Sequence, residues 1–185
     1  MMKTHFFAFV LLACVTSTMH AEPIVSAGNW TLLSNTPDQE IDIAISGVAN
    51  VTNATIFAEL VGLPKAPVFT GGSAIDGTIF ALNHYAYPSD FVNQLAYLDV
   101  ITDTGTVNGN GTLAKLWVST AGITSGDFVL KLTNTPWGDT CVDAQPSVNV
   151  TYLDGSIHIV PEPSNIVLLI TALLGVGWAR HRRRP

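Results

Sequence analysis

Apolar and polar residues alternate with a period of two over most of the chain. Ile41, Ile43 and Ile45 alternate with Asp42, Ala44 and Ser46, the pattern of a half-buried strand. Ala54, Ile56, Ala58 and Leu60 then face one way, and Thr55, Phe57, Glu59 and Val61 the other. Further strands are predicted at 77–83, 95–101, 112–120, 127–133, 148–153 and 156–160. Pro64, Pro67 and Gly71-Gly72 interrupt the pattern, and 84–93 reads as irregular around Pro88. The segments 105–111, 122–126 and 135–146 are rich in Gly, Asn, Asp, Ser and Thr and read as loops. About eight short strands, with no convincing helical segment between them, predict an all-β fold, an antiparallel β-sandwich of jelly-roll type.

Both ends depart from this pattern. Lys3 precedes an apolar run at 6–15, and Thr16-Ser17-Thr18-Met19-His20-Ala21 follows it. That order reads as a secretory signal peptide, residues 1–21, cut between Ala21 and Glu22. A competing reading takes Leu11-Leu12-Ala13-Cys14 as a lipobox that makes Cys14 the lipidated first residue. At the other end, 164–179 carries no charge and is followed by Arg180, Arg182, Arg183 and Arg184. As a helix it covers roughly 24 Å, short of a ~30 Å hydrocarbon core. Trp178 at the headgroup level and snorkelling arginines make up the difference. The arginines place the C-terminus in the cytoplasm and everything before Pro161 across the membrane.

Pro161-Glu162-Pro163, one short apolar helix and a terminal Arg cluster, in that order, resemble the PEP-CTERM protein-sorting signal, here residues 161–185. The resemblance implies an exported protein of an exopolysaccharide-producing Gram-negative bacterium. Its implied partner is exosortase, a membrane-embedded cysteine transpeptidase that reads Pro161, Glu162 and Pro163 and cuts nearby. It also implies delivery to the cell envelope, surface or matrix. Physically, two prolines around one residue bar both helix and sheet pairing and leave an extended segment for an active site to grip. An ordinary tail anchor with a stiff linker is the plainer alternative.

Between the two ends lie residues 22–160, about 139 residues, the size of one domain that needs no disulfide staples. They hold three lysines and no arginine against 13 Asp and Glu, a net charge near −10. Such a domain does not track a nucleic-acid backbone; it attracts cations or basic partners. Its one thiol, Cys141, excludes an internal disulfide and is expected to be a small buried residue.

The stretch 111–118, a short turn and then 126–132 resemble the paired late strands of cohesin-like sandwiches, and 38–47, 54–60 and 76–82 resemble the opening strands. The resemblance implies a cohesin-like fold, but no clear counterpart of the surface by which cohesins bind dockerins stands out.

No catalytic arrangement appears around His84 or His158, and neither Gly-x-Ser-x-Gly nor His-Glu-x-x-His occurs. His158, between Ile157 and Ile159, reads as an outward strand residue. Asp99, Asp103, Asn108 and Asn110 gather oxygen ligands that suit calcium, although their spacing matches no EF-hand and a solvated hairpin turn is the plainer reading. Asp38, Glu40 and Asp42 read as the solvent face of a strand or a blunted sheet edge. Five Asn-x-Ser/Thr sequons, at Asn29, Asn50, Asn53, Asn110 and Asn149, are ordinary in Thr-rich β sequence.

Aromatic residues give the binding hint. Tyr85, Tyr87, Trp117 and Trp137 are the candidates for carbohydrate contact, because exposed rings offer flat apolar faces to sugars. The leading expectation is a non-enzymatic surface or matrix protein with an adhesive or structural domain, its partner another matrix protein or a polysaccharide. A carbohydrate-binding module for exopolysaccharide is the second reading, and a secreted hydrolase the remote third.

Overall fold

The computed structural model describes residues 22–63 and 65–161. The expected signal peptide, the expected helix at 164–179 and the arginine cluster lie outside them, as do Glu162 and Pro163. Among the described residues no helix is long and apolar enough to cross a membrane.

Those residues form twelve strands: β1 (Ile24–Ser26), β2 (Asn29–Leu33), β3 (Gln39–Val61), β4 (Val68–Ser73), β5 (Tyr85–Ala86) and β6 (Asp90–Val92), then β7 (Leu95–Ile101), β8 (Val107–Ser119), β9 (Gly126–Lys131), β10 (Cys141–Ala144), β11 (Thr151–Leu153) and β12 (Gly155–Val160). The fold is the expected all-β sandwich. Its spine is β3. The first part of β3 pairs with β8 on one side and β1 on the other. Its last part pairs with β7 on one side and with β10 and β9 on the other. Beyond these, β4 extends β8, β5 and β6 flank β7, β11 joins β1 in parallel, and β12 joins β9 antiparallel and β2 parallel.

Alternation reads as two strands what the chain builds as one, because β3 changes faces in the middle. Ile41, Ile43 and Ile45 point inward at odd positions, whereas Ala54, Ile56, Ala58 and Leu60 point inward at even ones. Val48 and Val51 carry the core across the change, and the register with β8 slips between Ile45 and Val48 and again between Val48 and Val51. Each slip is a bulge that lets side chains three apart share a face and bends the strand. Gly47 (φ 73°) and Asn50 (φ 55°) take the left-handed conformations these bends require.

The strand expected at 77–83 is not formed. Ser73 Oγ accepts the N–H groups of Ile75 and Asp76, and the N–H groups of Thr78, Ala81 and Asn83 each bond three residues back. A side-chain acceptor that competes for local N–H groups favours turns over a ladder. The apolar residues here serve the core singly: Phe80 is fully buried and Leu82 fully exposed. The irregular 84–93 stretch supplies β5 and β6, one on either side of Pro88.

Cys141 is exposed, not buried as expected. Its register opposite Thr55 turns it outward and leaves Val142 and Ala144 to face the core. Over residues 39–43 β3 pairs with β8 alone, since β1 joins only at Ala44–Ser46, so the acidic run 38–42 borders an edge of the sheet, as one of its two expected readings has it. Lys115, opposite Asp42 on β8, bonds Glu40 and lies 3.9 Å from Asp42.

The bond from Lys115 holds Glu40 below the usual carboxylate range and raises Lys115 in turn. A depressed folded-state carboxyl stabilises above its unfolded value and stops doing so as pH falls through the folded one. Glu40→Gln is therefore expected to lower the melting temperature at neutral pH, with the gap to the parent closing on acidification. Thermal melts of both proteins from neutral pH down through the carboxylate range check this.

Candidate functional site

On β7, Ala96, Leu98 and Val100 fill the core, so Leu95, Tyr97, Asp99 and Ile101 face outward. On β3 the outward set is Asn53, Thr55, Phe57 and Glu59. Residues directly opposite on paired strands share a face. Register therefore lines up Phe57, Tyr97 and Asp90 in one row, and Cys141, Thr55 and Asp99 in the next. Tyr85 stands opposite Ile101, and the N–H of Tyr87 donates to the carbonyl of Asp99 at 3.1 Å.

The result is an aromatic, carboxylate-bearing sheet face. Tyr85 and Tyr87 are 60% and 45% exposed, and their rings meet edge to face with centroids 5.3 Å apart. Phe57 and Tyr97 pack ring to ring at 5.1 Å. Thr55 Oγ1 donates to Asp99 at 3.0 Å and the Tyr97 hydroxyl donates to its other oxygen at 3.3 Å, which fixes the carboxylate on the surface. Burial, aided by the negative charge of Asp99, raises the Tyr97 phenol above its usual range, so it stays a neutral donor.

The loop after β9 is tied to the same face. Thr140 Oγ1 accepts the Phe57 N–H at 3.0 Å and donates to the Phe57 carbonyl at 2.8 Å. Gly138 (φ 142°) lies against the Phe57 ring, where an added Cβ would come within 3.2 Å of it. Trp137, on the turn closed by Thr135 and Gly138, is 36% exposed.

Three of the four aromatic residues singled out in the sequence thus belong to this sheet or to a loop tied to it. Trp117 does not. It lies on β8 opposite Glu40, beside the first part of β3, with its ring over Gly71. Phe57 and Tyr97 escape a search for loop aromatics because both sit in regular strands; the signal is an aromatic residue at the parity opposite the core.

The proposed calcium ligands are held apart. Asp99 belongs to the aromatic face, whereas Asn108 and Asn110 bond each other on β8. Among the described residues no three His, Cys, Asp or Glu side chains are placed to hold a metal. His158 points outward, as its alternation requires, and its Nδ1 lies 2.6 Å from Asp127. His84 Nδ1 lies 3.0 Å from the Phe80 carbonyl.

No family model and no curated protein matches the chain. Solved structures do, cohesins among them. A non-cellulosomal cohesin of the archaeon Archaeoglobus fulgidus superposes with a TM-score of 0.60 at 14% identity, over 78% of this chain and 96% of that one. The OlpA cohesin of Clostridium thermocellum, solved in complex with a dockerin, gives 0.58 at 9% identity, over 76% and 100%. The OlpC cohesin of the same organism, also with a dockerin, gives 0.56 at 13%, over 76% and 94%. The chain therefore has the cohesin fold.

Proposed function

We propose that this chain is a non-enzymatic interaction module whose outer β5/β6–β7–β3 face docks another protein of the cell surface or matrix. The observation that carries the reading is the exposed Tyr85–Tyr87 pair, continuous with Tyr97 and Phe57 and set among carboxylates. Large amphipathic rings that keep a polar tip are the residue types that anchor interfaces. The cohesin fold supports a protein partner, because two of the similar structures were solved bound to one. The acidic domain favours a partner with basic groups at its rim.

In this reading residues 1–21 direct export and 161–185 are the sorting signal. The helix at 164–179 holds the domain on the outer side of the inner membrane until exosortase acts at Pro161-Glu162-Pro163. The domain then passes to the envelope, surface or matrix. The sequence order at the two ends supports this. Binding of exopolysaccharide by the same tyrosines is the second reading, favoured by the exposure of both rings.

The test is retention of the protein in the matrix fraction of its own cells. Tyr85→Ala with Tyr87→Ala is expected to leave the fold intact, since both rings are largely exposed, and to cut retention about tenfold or more, as loss of interface anchors does. Trp117→Ala, on β8 and away from this face, is expected to leave retention unchanged. Equal retention by the tyrosine variant would remove the face from this reading. Binding of purified host polysaccharide, lost in the same variant, would favour the second.

A further inference from the structure

A cleft of about 480 Å³ opens where β3 changes faces, between residues 47–50 and the start of β8 at 106–110. It is independent of the aromatic face. Left-handed backbone at Gly47 and Asn50 shapes one wall, and side-chain amides hold that shape. Asn110 Oδ1 accepts the Gly47 N–H at 2.9 Å, and Asn50 Nδ2 donates to the Gln145 carbonyl at 3.0 Å. The Asn110 amide donates to Asn108 Oδ1 at 2.7 Å. That bond orients Asn108, an exposed residue, with its own NH₂ turned away from Asn110 and unpaired among the described residues. Gly109 lets β8 lie close under the bulge, since a Cβ there would come within 2.8 Å of Val48 and Val51. Bulges and left-handed non-glycine residues concentrate at functional sites, where surrounding bonds hold them in place.

The lining chemistry selects the ligand. Although the domain is strongly acidic, no side chain that lines this cleft is ionisable. A hard cation wants carboxylates, which the lining lacks. A phosphate or sulfate group wants a positive charge, and none of the three lysines of residues 22–160 lines the cleft. Asparagine offers a donor and an acceptor together, matched to a pair of neighbouring hydroxyls. Ala49 and Val107 supply small apolar surfaces for ring C–H groups. We infer that this amide-lined cleft binds a neutral saccharide, with Asn108 as its principal donor.

The test is ligand-observed NMR on the full-length chain in a sugar-free zwitterionic detergent, with cellotetraose, mannotetraose and chitotetraose as probes and a tetrauronate as the charged control. At least one neutral probe is expected to bind at millimolar concentration or below, and the tetrauronate to fail as a competitor. Asn108→Ala is expected to weaken binding about tenfold, the loss of one good hydrogen bond. Ala49→Trp, a bulky group at an exposed rim position, is expected to abolish it. The inference is overturned if no neutral probe binds, if both cleft variants bind as the parent does, or if binding is lost only in the Tyr85→Ala, Tyr87→Ala variant. The last outcome would move the sugar to the aromatic face, whereas loss of matrix retention alone would leave the cleft untouched.

Discussion

A chain in which Pro161, Glu162 and Pro163 are all alanine is expected to stay uncut at the inner membrane, whereas the parent is expected to be shortened and to move on. The change is all or none because the proposed recognition depends on one extended segment. Two prolines remove a backbone donor each and force the residue before them out of helical geometry. Alanine, the best helix former, would let the adjoining apolar run extend back through the site. Insertion is expected to survive, since neither the apolar run nor Arg180, Arg182, Arg183 and Arg184 changes. Neutralising those arginines is expected to do the opposite and disturb retention and orientation. Immunoblots of inner-membrane and outer fractions, with and without exosortase, read both results. A parent that keeps its full size with exosortase present would reduce the tail to a plain anchor.

The second large effect is expected from Phe80→Ala. Phe80 is fully buried, yet it comes from a run of turns and not from a strand. The turns hold it in place: Thr78 Oγ1 bonds the carbonyls of Ala74 and Ile75, and the Ile79 N–H reaches the Thr112 carbonyl on β8 at 2.9 Å. Backbone fixed on both sides of the ring cannot collapse into the space it leaves. A loss of about 3–5 kcal/mol is expected, a large share of the 5–15 kcal/mol typical of a domain. Leu82→Ser, two residues on and fully exposed, is expected to change stability by less than about 0.5 kcal/mol. Urea midpoints of the three proteins decide the matter. A Phe80 variant as stable as the parent would mean that the turn segment does not belong to the core.

Strict alternation made β7 legible to the residue and placed the inward sets on both parts of β3. It failed where the period itself changes. At Ile45, Val48, Val51 and Ala54 the core residues are three apart, which fits neither a strand nor a helix, and only the register with β8 explains the spacing. It failed again at 77–83, where apolar content signalled a strand but Ser73 and Thr78 commit the backbone to local bonds. Cys141 was misread because composition favours burial of a lone cysteine, while its side is decided by partner Thr55, 86 positions away and invisible to local pattern. Of the candidate site, Tyr85, Tyr87 and Trp137 were legible as aromatics outside the main strands. Their union with Phe57 and Tyr97 depends on which strands pair, and the cleft depends on bulges in a strand that alternation splits in two.

The pairing of β12 with β2 joins positions as far apart as Asn29 and Ser156, which are 127 residues distant and meet through their side chains at 2.8 Å. Contacts of that sequence separation form late, because the loop they close must first lose its freedom. Until residues 155–160 arrive, β2 lacks its β12 partner and β9 presents an unpaired edge, the kind of edge that recruits other chains. A chain that stops short of Gly155 is thus not a smaller domain but an open template for aggregation. Pro161 follows directly after the strand that closes it, so a cut placed at or beyond this residue releases a finished fold, and one placed a few residues earlier would release a sticky one.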